Sequence, residues 1–164
     1  MFVRELGKTK FLLIMEEKVK KMGIGVGVAL IKDGKVLLGH RHEDPEKADS
    51  LLHGEGTWTM PGGKVDFGET IAGAVCREVL EETSLVVDPK NLKLVSVGNE
   101  RVPAAHFVTI GFACEKYEGE VKVMEPDEIT EWKWFDLKDL PSPMFFPSDK
   151  IVKNYLAGKI YQGE

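Results

Sequence analysis

Three glutamates lie within five residues of one another near the middle of the chain, in the run Arg77-Glu-Val-Leu-Glu-Glu82. Side chains four residues apart share a face of a helix and side chains three apart are close neighbours, so Glu78, Glu81 and Glu82 would form one carboxylate cluster. Ionised carboxylates at this spacing repel one another, and a divalent cation would remove the repulsion. The run therefore predicts a magnesium site, and magnesium held in this way commonly acts on phosphates.

A glycine turn before the cluster offers further oxygen atoms. Gly62-Gly63 would let the backbone approach the helix closely, so the main-chain carbonyl of Gly62 could complete the coordination. Glu69 follows the turn and could supply an outer or bridging oxygen. Arg77 stands four residues before Glu81, and we expect the two to pair and to leave the other helix carboxylates free for metal. A solvated acidic helix face is the alternative interpretation.

The spacing of these residues resembles the Nudix hydrolase signature, Gly-x5-Glu-x7-Arg-Glu-U-x-Glu-Glu-x-Gly-U, where U is aliphatic. The matching positions are Gly63, Glu69, Arg77, Glu78, Val79, Glu81, Glu82 and Leu85, and Ser84 replaces the last glycine. Serine in a left-handed helix end would cost about 1 kcal/mol or less and would remove no ligand. The resemblance implies an α/β protein with a Nudix-type α/β/α sandwich around a mixed β-sheet.

The resemblance also implies a chemistry, because Nudix enzymes hydrolyse a nucleoside diphosphate linked to another group with magnesium or manganese. It makes Glu78 and Glu82 the leading metal ligands, Glu81 a further ligand and the Gly62 carbonyl a main-chain ligand. It places Arg77 in the same catalytic group. A metal-activated water would attack phosphorus in line, and a carboxylate would accept its proton.

The carboxylate that accepts this proton has two candidate locations. One is Glu78 on the helix. The other is the acidic segment from Met124 to Trp132, from which we select Glu128 as a base or outer ligand. A polar surface turn is the alternative interpretation of that segment.

Outside the signature, the resemblance extends over residues 22–157 and points to the branch that cleaves free nucleoside triphosphates to monophosphate and pyrophosphate. The stretches 106–110 and 131–135 carry this part of the resemblance. The candidate substrate-binding residues are Arg41, Gly63, Lys64, Phe107, Thr109 and Phe145. Aromatic rings among them could stack a base, although aromatic residues on strands are also common in cores. A surface cation is the alternative for Arg41.

The leading hypothesis is a Mg²⁺-dependent hydrolase that converts a (d)NTP to (d)NMP and pyrophosphate. ADP-ribose pyrophosphatase is the alternative of the same class, because the polar loop 42–56 could hold a second ribose. A catalytically silent nucleotide-sensing domain is an alternative of another class, but the chain keeps every glutamate of the signature. An mRNA-decapping role is disfavoured because the chain is acidic.

Composition limits the partners of the protein. The chain has 164 residues, 43% of them hydrophobic and 30% charged, which is typical of one globular domain. A net charge of −5 gives no general attraction for nucleic acid, so we expect a small nucleotide partner, no nucleic acid and no membrane. Cys76 and Cys114 are too few for a disulfide framework and predict a cytoplasmic protein with apolar, buried thiols. A homodimer is expected only by analogy with the family.

The elements that must position the cluster follow from hydrophobic periodicity. Strands are predicted at 23–31, 36–41, 57–60, 92–97, 107–113 and 131–135, with a hairpin turn at Asp33-Gly34. The central helix begins after Thr70 as its cap, a helical turn spans 136–140, and a last helix is capped by Ser148 and ended by Gly158. Residues 1–21 are predicted to be an arm of uncertain order, whose apolar stretch 11–15 is too short to span a bilayer, and 22–164 the Nudix domain.

Overall fold

A computed structural model describes residues 21–48 and 50–162, so the predicted arm lies outside the described residues except for Lys21. In chain order the elements are β1 (Lys21–Lys32), β2 (Lys35–Arg41), β3 (Trp58–Thr59), β4 (Gly62–Lys64), α1 (Ile71–Thr83), β5 (Val86–Val87), β6 (Lys93–Val102), β7 (Ala105–Cys114), β8 (Tyr117–Glu118), β9 (Ile129–Asp136) and α2 (Phe146–Ala157). A 3-10 turn spans Pro89–Asn91. Within these residues, no helix combines the length and apolarity that crossing a bilayer requires.

The main sheet is mixed, and β1 lies at its centre. Its strand order is β3-β2-β1-β7-β6, with β4 paired to β1 and β9 paired to β2. Only the β1–β7 pair is parallel among the described pairs of this sheet. The predicted hairpin is confirmed, because Asp33 and Gly34 adopt φ values of +50° and +75° between the paired residues Lys32 and Lys35.

The two faces of the sheet bury separate apolar clusters, one under each helix. On the α1 side the cluster includes Val26, Val28, Leu30, Leu37, Ala74, Val75, Val79 and Leu85. On the α2 side it includes Ala29, Ile31, Val36, Leu38, Met60, Ile151 and Val152. Successive residues of β1 point to opposite faces, so this one strand contributes to both clusters. The predicted α/β/α sandwich around a mixed sheet is confirmed.

The glycine turn differs from its prediction in a way that matters for the site. The sequence predicts a turn at Gly62-Gly63 after the strand at 57–60. β3 does end at Thr59, but Gly62–Lys64 forms β4 and pairs antiparallel with residues 25–27 of β1. Ile31 and Lys32, at the end of β1, pair with β2 instead. This division of β1 between two partners places the glycine backbone in the sheet, directly beside α1.

Two predicted helical features are wrong. Asp136 ends β9, and a tight turn closed by the N–H of Asp139 on the carbonyl of Asp136 follows it in place of the predicted helical turn. Ser148 does not cap α2, because the helix begins at Phe146 and Ser148 is buried in its first turn. The Ser148 hydroxyl accepts from the backbone N–H of Met60 at 3.0 Å and lies 3.1 Å from the hydroxyl of Thr59. Sequence spacing could not anticipate these two long-range partners. Gly158 does end α2, with φ +65°.

Both cysteines are free thiols, as predicted. Cys76 is half-buried and donates to the carbonyl of Val87, and Cys114 is buried and donates to the carbonyl of Lys116. Burial raises the pKa of each thiol, which disfavours the reactive thiolate form.

Candidate active site

Local sequence sets the ends of α1 as predicted. The Thr70 hydroxyl accepts from the backbone N–H of Gly73 at 3.1 Å, and Ser84 ends the helix in the left-handed conformation with φ +64°. Ala74, Val75 and Val79 are buried against the sheet. This apolar stripe fixes the rotation of the helix about its axis, and the carboxylates off the stripe turn toward β4.

The glycines of β4 bring backbone and helix carboxylates into contact. The N–H of Gly62 donates to Oε2 of Glu82 at 3.0 Å. A Cβ atom on Gly63 would lie 2.5 Å from Cδ of Glu78, so no larger residue fits there without moving that carboxylate. The predicted close approach of the turn to the helix is confirmed for both glutamates.

Arg77 is the centre of an ion-pair cluster larger than predicted. Its guanidinium donates to both oxygens of Glu69 at 2.9 and 3.0 Å, to Glu78 at 2.8 Å, to Glu81 at 3.0 Å and to the carbonyl of Lys64 at 3.0 Å. The expected pair of Arg77 with Glu81 is confirmed, but the expectation that Arg77 would leave Glu78 free is wrong. A guanidinium has five donors in a fixed plane, and the fold places five acceptor oxygens from four residues around it. These hydrogen bonds raise the pKa of Arg77 and lower the pKa of Glu69.

The two carboxylates nearest β4 are electrostatically unfavourable as they stand. Burial raises the pKa of Glu82 well above its ordinary range, and the charges of Glu78, Glu125 and Glu128 raise it further. Burial also raises the pKa of Glu78, although its hydrogen bond to Arg77 opposes the shift. Buried carboxylates that repel one another favour either protonation or a bound cation.

The acidic segment after β8 is held against the end of α1 by backbone hydrogen bonds. Lys122 donates to the carbonyl of Thr83 at 2.9 Å, and Met124 donates to the carbonyl of Glu82 at 3.3 Å. This attachment carries both Glu125 and Glu128 to the cavity that the helix glutamates line. The selected residue Glu128 thus lies at the site as predicted.

Glu125 is a site residue that the sequence prediction missed. The loss of surrounding water raises the pKa of Glu125, and the charges of Glu128 and Glu81 add to the shift. The segment holds four acids that residue type alone cannot rank. The backbone hydrogen bonds that join this segment to α1, which no sequence pattern reports, are what bring Glu125 to the site.

The donor set fits a hard divalent cation. Among the described residues, no three acidic, His or Cys side chains already stand at metal-binding spacing. Arg77 holds Glu78, and the N–H of Gly62 holds Glu82. Both carboxylates line the cavity, and carboxylate oxygens are the ligands that Mg²⁺ takes.

One cavity of about 390 Å³ joins the acidic cluster to an apolar end. We call its two parts the acid end, after its carboxylates, and the base end, after the nucleobase that the sequence analysis expects its aromatic side chains to stack. The acid end is lined by Gly62, Gly63, Lys64, Arg77, Glu78, Glu81, Glu82, Glu125 and Glu128. The base end is lined by Arg41, Leu51, Leu52, Phe107, Thr109, Phe145, Pro147, Ser148 and Ile151, among others. Apart from Glu69, which stands behind Arg77, every predicted site residue lines this cavity.

Arg41 is a wall of the base end and not a surface cation. It is buried, donates from Nη2 to the carbonyl of Ala48 at 2.8 Å, and its Cζ lies 5.0 Å from the ring centre of Phe145. The guanidinium therefore ties the loop after β2 to the start of α2. In this position Arg41 forms part of the cavity wall and also orders the loop that completes the wall.

Phe107 and Thr109 lie on β7 with their side chains toward the cavity. The hydroxyl of Thr109 faces β1, where a Cβ on Gly25 would lie 3.4 Å from it. Phe107 is both core and cavity wall, because it is buried and also lines the base end. The interpretation of Phe107 as a core residue is confirmed, and its stacking on a base stays a prediction.

Comparison with known proteins relates the chain to hydrolases of nucleotides. The family model described as NUDIX domain matches residues 21–155. The ADP-ribose pyrophosphatase of Methanocaldococcus jannaschii is 36% identical over 136 residues, 83% of this chain and 74% of that protein. The oxidized purine nucleoside triphosphate hydrolase of Danio rerio is 34% identical over 126 residues, 74% of this chain and 71% of that protein. The crystal structure of a MutT NUDIX hydrolase from Burkholderia pseudomallei matches with a TM-score of 0.72 and 32% identity, over 82% of this chain and 98% of that one.

Proposed function

The chain belongs to the NUDIX family and is a hydrolase of nucleotide pyrophosphate bonds, and from this premise we propose that it converts a (d)NTP to (d)NMP and pyrophosphate. The proposed cofactor is Mg²⁺, for which Mn²⁺ could substitute. The observation that supports the proposal is the division of one cavity into an acid end and a base end. A triphosphate chain and a single nucleoside match those two parts.

The chain's own residues have separate tasks in this reaction. Glu78, Glu82 and the carbonyl of Gly62 would hold the cation, with Glu81 as a further ligand at the solvent side. A bound Mg²⁺ supplies charge neutralisation and an acidified water. Arg77 orients the Glu78 carboxylate through its 2.8 Å hydrogen bond.

Proton transfer and substrate charge fall to residues around the helix carboxylates. Glu125 and Glu128 face the acid end and are the candidates that accept the proton of the attacking water. Lys64 lies at the same end and places a cation beside the phosphates. At the base end, Phe107 and Phe145 offer surfaces on which a base can stack.

The second candidate activity is ADP-ribose hydrolysis, because a relative at 36% identity is named for it. Loop 42–56 was the segment expected to hold the second ribose. Of its described residues, Ser50, Leu51 and Leu52 line the cavity. Of these three side chains only the Ser50 hydroxyl can hydrogen-bond a ribose hydroxyl group, so the described part of this loop gives little support to a second ribose and favours the triphosphate.

Product analysis by phosphorus NMR tests the proposal. The protein is incubated with Mg²⁺ and with (d)NTPs or ADP-ribose in parallel. Monophosphate and pyrophosphate from a triphosphate would support it, whereas AMP and ribose phosphate from ADP-ribose alone would move the assignment to the second candidate. Cleavage of neither compound would contradict both and favour nucleotide sensing.

The remaining proposals concern the cellular location, the oligomeric state and the domain bounds of the protein. Because of the net charge of −5, we propose that the protein acts on free nucleotides in the cytoplasm and does not bind nucleic acid. We also propose that it forms a homodimer, by analogy with its family, and that residues 22–164 act as one Nudix domain. Lys21 belongs with this domain and not with the predicted arm, because it is the first residue of β1. Light scattering on the full chain would measure the mass, and a monomer would contradict the dimer.

A further inference from the structure

Glu82 is held at two places, its carboxylate and its main chain. Its carbonyl lies close to the end of α1, where carbonyl groups have no partner farther along the helix. This carbonyl accepts from the indole N–H of Trp132 on β9 at 3.2 Å and from the backbone N–H of Met124 at 3.3 Å. The carboxylate accepts from the N–H of Gly62 on β4. Two separate strands therefore fix the position of one glutamate of the acid end.

The two donors to the Glu82 carbonyl belong to the first and last residues of the acidic segment. Between Met124 and Trp132 the chain carries Glu125 and Glu128, which line the acid end. Both ends of the segment thus converge on one backbone atom of α1. This carbonyl joins the helix carboxylates to the second group of carboxylates that line the same cavity.

Gly39 on β2 gives Trp132 the room to make this contact. The two residues are direct partners in the antiparallel β2–β9 pair, and Trp132 packs against the apolar cluster that α1 covers. A Cβ atom on Gly39 would lie 2.8 Å from Cζ3 and 2.9 Å from Cε3 of the indole. The indole therefore lies directly against the glycine backbone, while its N–H reaches the end of α1.

We infer that Trp132 is a positioning residue, which sets the place of the Glu82 carboxylate relative to Glu125 and Glu128. The inference rests on the proposed function, because it takes these three carboxylates to act on one substrate. A packing role would depend on the volume of the indole, since apolar contacts have no preferred direction. A positioning role depends on its N–H, because a hydrogen bond has a preferred length and direction.

Removal of the N–H alone tests the inference. Benzothienylalanine has the shape of tryptophan but carries sulfur in place of the N–H, and it is introduced in place of Trp132 in the full chain. We expect kcat for the triphosphate to fall about tenfold, because a displacement of about 1 Å can cost about a hundredfold and the loss of one hydrogen bond allows a smaller one. KM should change by less than about twofold, since Trp132 does not line the cavity.

Trp134 provides the matched control. It lies two residues farther along β9, on the same face of the sheet, but its ring stacks on Tyr117 with 6.1 Å between the ring centres. Benzothienylalanine in place of Trp134 should leave kcat within about twofold of the wild type. An equal fall at both positions, or no fall with the replacement of Trp132, would contradict the inference. Glu131→Gln, which breaks an exposed ion pair with Lys133, controls for a change of charge on β9.

A second readout does not depend on turnover. Trp132→Phe and Trp134→Phe are compared for the binding of Mn²⁺ by electron paramagnetic resonance, in the absence of nucleotide. Residues that hold metal ligands in place typically contribute about tenfold or more to metal affinity. We therefore expect the Kd for Mn²⁺ to rise about tenfold in Trp132→Phe and less than about twofold in Trp134→Phe. Equal affinities in the two variants would contradict the inference.

The Mn²⁺ measurement also distinguishes this inference from the proposed function. If no triphosphate is cleaved but Mn²⁺ binding weakens in Trp132→Phe alone, the positioning role of Trp132 stands and the reaction is misassigned. If triphosphates are cleaved and the two tryptophan variants behave alike, the reaction stands and the inference is wrong.

Discussion

The acid end and the base end of the cavity are built in opposite ways. The signature residues of the acid end come from the short stretch between Gly62 and Glu82, on one strand and the helix that follows it. The base end draws on β2, the loop after it, β7 and the first turn of α2. The first end is thus a local structure that fixed spacing encodes, and the second exists only when distant segments meet. Substitutions at the two ends should also have different kinetic effects. Those at the acid end should lower kcat, and those at the base end should raise KM.

Glu82→Gln should have the largest effect. The amide oxygen can still accept from the N–H of Gly62, which preserves the turn, but the charge that would hold the cation is gone. We expect kcat to fall by about a thousandfold with little change in the melting temperature, because several kcal/mol of charge stabilisation is lost. Steady-state kinetics at saturating Mg²⁺ measure the effect against Glu131→Gln. A variant with full activity would show that the metal site is misplaced.

Glu125→Gln and Glu128→Gln form a pair that identifies the proton acceptor. Loss of a general base costs about 10² to 10⁴ in rate. We expect Glu125→Gln to show the larger fall in kcat, because hydrogen bonds to the end of α1 hold its segment beside Glu82. Single-turnover rates at saturating substrate measure the chemical step. The opposite ranking would assign the role to Glu128, and two unaffected variants would return it to Glu78.

Gly63→Ala tests whether the acid end depends on backbone proximity. The new methyl group would displace the Glu78 carboxylate, and a misplacement of about 1 Å can cost about a hundredfold in rate. Gly34→Ala is the control for stability, because Gly34 has φ +75° in a hairpin turn and does not line the cavity. We expect the control to lose about 1 kcal/mol of stability and to keep kcat. Equal kcat losses in both variants would mean that stability alone is responsible.

Phe145→Ala should damage the base end alone. It removes the ring beneath Arg41 and a stacking surface, and stacking on an aromatic side chain contributes about 1–3 kcal/mol per base. KM should rise by about tenfold or more while kcat stays within about twofold. Phe146→Ala is a matched control, because Phe146 is exposed and does not line the cavity. A fall in kcat without a change in KM would contradict the division of the cavity into two ends.

This division also explains what could be predicted from the sequence. The helix, its Thr70 cap and the left-handed Ser84 depend on neighbours within a few residues, so spacing encodes them. The approach of the glycine turn joins Gly62 to Glu82, 20 residues apart, but Gly62 directly precedes the signature and Glu82 lies within it.

The partners of Arg77 lie 1 to 13 residues away, and helical spacing names only Glu81 among them. The place of Glu125 and the contacts of Ser148 depend on long-range packing. Phe107, Thr109 and Phe145 could be chosen as candidates from their residue types. That they line one cavity could not be predicted, because it depends on how β7 and the start of α2 pack together.

Ser84→Gly should have the smallest effect and sharpens the comparison within the acid end itself. Ser84 is the one departure from the signature, and it occupies a left-handed conformation with φ +64° in which glycine is favoured. Restoring glycine should stabilise the protein by up to about 1 kcal/mol, which raises the melting temperature by about 2–4 °C. Ser84→Ala, with no side-chain hydroxyl and the same backbone strain, should not be stabilised. Turnover should match the wild type in both variants, because Ser84 lies outside the cavity lining. A change in kcat for Ser84→Gly would show that this position affects the rate of the reaction as well as the end of the helix. The structural and catalytic parts of the signature could then not be separated.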